Sequence, residues 1–205
     1  MNVWYVSYGS NLSYERFLCY IKGEKPECSD KKERGCRNQN LPLSIETINI
    51  DHPLYFSKEK SKWGKGGVAF IGHQPCLNSS TLGRMYLITK EQFSDVVAQE
   101  NDIEQITINF DGVIRNGNAN INDGWYGRIM YLGLKDGFPM FTFTSNFPYE
   151  KASYNPPSSN YLRTIAKGLR EMGLEEEEIV NYFLDKSGIN MFFSKDQLFQ
   201  YIFLR

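Results

Sequence analysis

The chain has 205 residues, 41% of them hydrophobic and 15% aromatic, and its 23 basic and 24 acidic residues leave a formal charge of −1. That length and apolar content suit one domain with a sizeable core, and the balanced charge gives neither nucleic acid nor an anionic membrane a reason to bind. The four cysteines, Cys19, Cys28, Cys36 and Cys76, form no C-x-x-C pair, and His52 and His73 are the only imidazoles, so no metal site is expected.

The chain opens on Met1-Asn2 and runs straight into Val3-Trp4-Tyr5-Val6, with no basic leader segment. No stretch reaches the ~18 apolar residues of a membrane span, so a reducing cytoplasm with free thiols is the expectation. Residues 3–8 are aromatic and β-branched and predict a strand. Gly9-Ser10-Asn11 then makes a turn. Residues 13–22 carry Tyr14, Phe17, Leu18 and Ile21 at helical spacing, with Gly23 as a stop. Residues 24–40 are polar and without period, and predict a long loop or insertion. Short strands are expected at residues 54–56, 67–71 and 82–88, and the alternation around Ile106 and Ile108 adds another at 104–110. Lys135-Asp136-Gly137 between residues 126–134 and 138–145 is a hairpin signature. A helix begins at Pro157-Ser158 and carries Tyr161, Leu162, Ile165, Ala166, Leu169 and Met172. Glu175 to Glu178 suit the first turn of the next helix, where negative charge meets the positive end of the macrodipole. The end of the chain is rich in aromatic residues.

Two features point to a site. Thr89-Lys90-Glu91-Gln92 fits a capping box, and the helix it opens runs to about Glu100. Phe93, Val96, Val97 and Glu100 fall on one face at about 100° per residue, while Glu91 and Asp95 point away. A carboxylate on that face is either an inward acid with its proton affinity raised by burial and by the helix end, or a last residue turned to solvent. The second feature is Tyr8-Gly9-Ser10-Asn11-Leu12. A strand entering a helix through glycine turns N–H groups outward, which can cradle a carboxylate or a carbonyl oxygen or can simply cap the helix. It lacks the G-x-S-x-G frame of a nucleophile elbow, and Trp63-Gly64-Lys65-Gly66-Gly67 lacks P-loop spacing.

Taken together, Tyr8-Gly9-Ser10-Asn11-Leu12, the segment Trp63-Gly64-Lys65-Gly66-Gly67-Val68-Ala69, the pair Gln99-Glu100 and Pro156-Pro157-Ser158 followed by Tyr161 resemble the gamma-glutamylcyclotransferase-like family over residues 3–174. The resemblance implies an α+β fold, a small mixed β-barrel with flanking helices, over residues 1–188. The polar insertion at 24–40 and an aromatic tail at 189–205 would be additions, the tail packing on the domain or on a partner such as a second copy. It implies a pocket formed by Tyr8, Gly9, Ser10, Asn11 and Leu12 with Glu100 as catalytic acid and base. It further implies release of 5-oxoproline from a gamma-glutamyl substrate without metal or cofactor. Two departures stand out. Some members carry a late-strand tyrosine where this chain has Phe141-Thr142-Phe143, and Asn101 replaces a frequent glycine. These keep a second reading open, a module that binds or senses a carboxylate or glutamyl ligand without turnover.

Overall fold

The computed structural model describes residues 1–27, 31–61 and 63–204. β1 (Asn2–Ser7) passes through a 3-10 turn (Ser10–Leu12) into α1 (Tyr14–Lys22). After a long loop come β2 (Ile45–Ile50), β3 (Leu54–Ser57), β4 (Lys60–Ser61), β5 (Gly64–Lys65), β6 (Val68–Ile71) and β7 (Thr81–Thr89). Then follow α2 (Lys90–Glu100), α3 (Phe110–Asn116), β8 (Asn118–Asn120), β9 (Arg128–Lys135) and β10 (Phe138–Thr144). The chain finishes with α4 (Ser159–Glu171), α5 (Glu176–Leu184) and α6 (Lys195–Phe203).

The main sheet has six strands in the order β2-β7-β1-β10-β9-β8. β1 pairs parallel with β10 and antiparallel with β7. Its central place explains its nearly unbroken apolar sequence, because a strand covered on both faces has no polar side. Trp4, Val6 and Tyr8 enter one core, with β3, β6, α4, α5 and α6. Val3 and Tyr5 enter the other, with α1, α2 and α3. Each buried side chain of this size is worth about 1.5–3 kcal/mol.

The sheet is mixed, as expected, but it is not a closed barrel. β2 and β8 are separate edges, and β8 is a three-residue polar strand too short to close the sheet. Closure is replaced by side-chain bonding: Thr144, ending β10, bonds both the N–H and the C=O of Ile71 on β6, at 3.0 and 2.8 Å.

The strands expected around residues 3–8, 54–56, 67–71, 82–88 and the hairpin are present, within a few residues of those bounds. Asp136 and Gly137 turn the hairpin with φ of 49° and 78°, the left-handed pair such a turn requires. Residues 104–109 form no strand. Ile106 and Ile108 instead pack onto the second core as irregular chain, and Asn109 caps α3 through Gly112 N–H at 3.0 Å. The polar stretch at 24–40 is a loop where described; residues 28–30, Cys28 among them, lie outside the described residues. It is tied down. The Arg37 backbone N–H donates to Asp95 at 2.9 Å, and Gln92 reaches the carbonyls of Asn38 and Asn40 at 3.1 and 2.8 Å. Asp95, which points away from the Glu100 face, is therefore buried under this loop. In the tail, α6 buries Leu198 and Ile202 in the first core and packs against α4 and α5. Cys19, Cys36 and Cys76 are free thiols. No helix among the described residues is long and apolar enough to cross a membrane.

Candidate active site

The 3-10 turn after β1 is pinned from two sides. The Asn11 carbonyl accepts from Tyr86 at 2.8 Å and from Ser7 at 3.1 Å. Behind it, α4 approaches so closely that Gly168 is the only residue type that fits: a Cβ there would lie 2.3 Å from the Leu12 carbonyl carbon and 2.4 Å from the Ser13 nitrogen. The turn is thus wedged between sheet and helix, with its open side facing a cavity.

α2 delivers Glu100 to the same cavity. Its N-terminus is fixed by the capping box at Thr89 and Gln92, with both reciprocal bonds formed. Phe93, Val96 and Val97 bury the apolar face completely. Glu100, one turn further on that face, lines the cavity, and its Oε1 accepts from Asn11 Nδ2 at 3.2 Å. The same Nδ2 lies 3.1 Å from the Tyr5 hydroxyl. Gln99 is structural: it joins α1 to the following loop, donating to the Tyr20 carbonyl at 3.1 Å and accepting from Gly35 N–H at 3.0 Å.

The cavity holds about 300 Å³, at the lower end of the range for small-molecule sites. Tyr8, Gly9, Ser10 and Asn11 line it with Glu100. Leu12, grouped with them in the sequence, does not; it is fully buried in the first core. Much of the remaining wall is aromatic, from Trp63, Trp125, Tyr126, Phe143 and Tyr161, and Glu33 adds a second carboxyl to it. The peptide of Ala69 is bracketed by two phenols. Its N–H donates to the Tyr161 oxygen and its C=O accepts from Tyr126, both at 3.2 Å. On the rim, Lys31 pairs with Asp102 at 3.1 Å.

The two departures from the resembled pattern meet here. Of the stretch Phe141-Thr142-Phe143, which lacks the late-strand tyrosine, Phe143 lines the cavity, and Tyr126 packs edge-on against it, with centroids 5.6 Å apart and planes at 76°. Tyr126 brings a phenol to the same wall from the loop before β9. Asn101 holds that loop in place: its side chain donates to the Tyr126 carbonyl and accepts from Tyr126 N–H, each at 3.2 Å. Asn101 has φ of −98°, so this helix end does not require glycine. The sequence reading missed Tyr126, Trp125 and Tyr5. Tyr126 lies two residues after Asp123-Gly124, a turn-forming pair, but nothing local says where that loop folds.

Burial, with the Glu100 charge adding to it, raises the phenol pKa values of Tyr5, Tyr20, Tyr126 and Tyr161 above the ordinary 10. All four are neutral hydrogen-bonding groups near neutral pH. Among the described residues, no group of three His, Cys, Asp or Glu side chains could hold a metal ion.

No family model matches the chain. It is 32% identical over 207 residues to histone deacetylase 5 of Arabidopsis thaliana, an alignment covering 91% of this chain. The chain spans only 31% of the length of that protein. Two solved structures share the fold. One is a gamma-glutamyl cyclotransferase, with TM-score 0.50 and 16% identity over 89% of this chain and 86% of the other. The second is an uncharacterized protein of Homo sapiens, with TM-score 0.50 and 19% identity over 88% and 86%. At these identities the likeness establishes the fold, which is gamma-glutamyl cyclotransferase-like.

Proposed function

We propose that this chain, built on the gamma-glutamyl cyclotransferase-like fold, is a cofactor-free cyclotransferase that releases 5-oxoproline and an amine from a gamma-glutamyl amide. The observation that carries this reading is the 3.2 Å bond from Asn11 to Glu100, which joins the turn and the acid at the mouth of one cavity.

In the reaction, the α-nitrogen of the glutamyl group attacks its own γ-carbonyl carbon. A lactam C–N bond forms, the C–N bond to the leaving amine breaks, and no water is consumed. The nucleophile is tethered, so holding the bent conformer alone is worth about 7–11 kcal/mol for a well-oriented reaction. The α-ammonium must first lose a proton. A free α-amine near pKa ~7.7–8.0 and a carboxyl near ~4.3 differ by roughly 3.5 units, about 5 kcal/mol uphill unless the site narrows the gap. Glu100 takes that proton and returns it to the departing nitrogen, and the second proton that the α-nitrogen sheds as the lactam N–H forms also goes to the released amine, which leaves as its ammonium ion. Backbone N–H groups of residues 9–11 receive either the substrate carboxylate or the developing oxyanion; one oxyanion donor is worth roughly 2.7–4 kcal/mol. The Tyr161 hydroxyl already accepts from Ala69 and has its own proton to offer the substrate.

The testing experiment measures 5-oxoproline release from a panel of gamma-glutamyl amides. Release by the wild type, lost in Glu100→Gln, supports the reading; no release from any member overturns it. The stretch Phe141-Thr142-Phe143, without a tyrosine, favours a second reading, a binding module without turnover. Saturable 5-oxoproline or glutamate binding in calorimetry, with no release, would select it. The deacetylase named in the similar plant protein belongs to a chain about three times as long, and an association of this fold with such an activity is a further proposal only.

A further inference from the structure

We propose that Arg16 is a positioning residue for this site: through the Tyr20 hydroxyl it fixes the Glu100 carboxylate and holds it ionised against its aromatic surroundings, leaving the proton gap to be narrowed at the substrate amine. This rests on the cyclotransferase reading for its chemical purpose, but not for its geometry. Arg16 and Tyr20 lie one turn apart on α1, at the i and i+4 positions that face each other. Arg16 is 5% exposed. Its Nη2 donates to the Tyr20 oxygen and to Glu33 Oε1, both at 2.7 Å. The guanidinium also stacks over the Tyr20 ring at 4.3 Å and faces Trp63 at 5.7 Å. The Tyr20 hydroxyl in turn lies within hydrogen-bonding reach of the Glu100 carboxyl. A relay therefore runs Glu33–Arg16–Tyr20–Glu100–Asn11 from the loop after α1 to the turn after β1.

The cost of this arrangement argues for a purpose beyond packing. Among the described residues, Arg16 Nε and Nη1 are buried with no partner. Unsatisfied donors on a buried charge are expensive, and an apolar side chain of similar volume commonly serves structure as well or better. What an apolar residue cannot do is face a carboxylate with a positive charge. A phenol oxygen that accepts from a cation is a stronger donor through its own proton, and here the carboxylate within its reach is Glu100. Burial alone would pull the Arg16 pKa down, yet Tyr20, Glu100 and Glu33 together hold it above its ordinary value. That attraction is mutual, so the cation favours the ionised form of Glu100.

Four of the other groups lining the cavity with or beside Glu100 are polar but uncharged near neutral pH: Tyr5 from β1, Asn11 from the turn, Tyr126 before β9 and Tyr161 from α4. Lys31 and Asp102 on the rim are paired, with side chains 78% and 88% exposed, and water screens them. Glu33 lines the same cavity as Glu100 and pairs with Arg16 at 2.7 Å, so it offsets part of the Arg16 charge. The buried cation of this group is Arg16.

The test follows the Glu100 carboxyl directly. In protein carrying 13C-labelled glutamate, the Glu100 signal is the one missing from Glu100→Gln, and its titration midpoint is read in wild type, Arg16→Gln, Arg16→Lys and Tyr20→Phe. The account expects the midpoint to rise by at least about one pH unit in Arg16→Gln, to rise in the same direction in Tyr20→Phe, and to return most of the way in Arg16→Lys. The acid limb of kcat/KM should move with it. An unchanged midpoint in Arg16→Gln overturns the proposal. Should Arg16→Gln fail to fold, Tyr20→Phe decides alone, and an unchanged midpoint there overturns it. The titration needs no turnover. A wild type that releases no 5-oxoproline would defeat the cyclotransferase reading while leaving the role of Arg16 to be decided by the same spectra.

Discussion

Replacing Gly168 by alanine sets helix propensity against packing, and the two predict opposite signs. In the interior of α4 an alanine is worth about 1 kcal/mol over glycine. The structure opposes that gain. The added Cβ would stand 2.3 Å from the Leu12 carbonyl carbon, 2.4 Å from the Ser13 nitrogen and 2.6 Å from Leu12 Cβ. Carbon atoms rest at about 3.5–4.0 Å, so helix and turn must part by more than about 1 Å. The first two obstructing atoms are backbone, so no rotamer change relieves them. Over-packing of this kind costs about 1–3 kcal/mol and sometimes more, which leaves a net loss of up to about 2 kcal/mol. For a chain of this length that lowers Tm by up to about 4–8 °C. The parting also moves Asn11 relative to Glu100, so kcat/KM for 5-oxoproline release should fall with Tm. Thermal melts followed by circular dichroism, on wild type and variant together, measure it. A higher Tm for Gly168→Ala would refute the packing argument, because only helix propensity would then be acting.

Three further outcomes follow from buried polar groups. Glu171 pairs with buried Arg84 and accepts from Tyr14 N–H at 3.0 Å. Glu171→Ala strands that guanidinium and should cost ~3 kcal/mol in denaturant unfolding, the lower end for a buried pair because Glu171 is partly exposed; a cost near zero would contradict it. Burial lowers the His52 pKa below 6.5, against a hydrogen bond to the Gly72 carbonyl. The unfolded chain then binds the proton first, so stability contributed by neutral His52 is present above about pH 6.5 and is lost as pH falls through the lowered value. His52→Gln should flatten that part of the stability curve, and an unaltered slope would count against the assignment. Burial and the Asp95 charge push the Cys36 thiol up to about 12. Iodoacetamide should therefore label exposed Cys76 in the native protein and spare Cys36, as read by peptide mass spectrometry; equal labelling would show that the 31–44 loop opens.

Much of this architecture is legible locally, and the exceptions share a cause. Thr89 and Gln92 announce the start of α2, and the apolar spacing of Phe93, Val96 and Val97 sets the face on which Glu100 lies. Gly9 and the hairpin glycine mark turns because backbone sterics act within a few residues. Residues 45–50 give no strand signal, because β2 is an edge whose isoleucines run from exposed Ile45 through half-buried Ile48 to buried Ile50 and whose pairing with β7 is a tertiary event. Residues 104–109 alternate like a strand yet find no partner, since periodicity reports burial and not hydrogen bonding. Barrel closure was expected from the resemblance and did not occur, as the length of β8 decides it. In the site, Tyr8 to Asn11 and Glu100 reach one cavity, whereas Leu12 turns inward. Tyr126 and Arg16 carry no local signature. One depends on where Asn101 captures a loop, the other on a neighbour one turn along α1.

The account rests on Glu100 acting as proton carrier in the cavity beside the turn at residues 9–11. The most direct measurement is kcat/KM for 5-oxoproline formation from the best gamma-glutamyl amide, with wild type and Glu100→Gln compared at equal Tm. The glutamine keeps the shape of the side chain and removes its proton affinity. The account predicts a loss of about 10²–10⁴-fold, the usual worth of a positioned acid and base. Equal rates in the two proteins would contradict it.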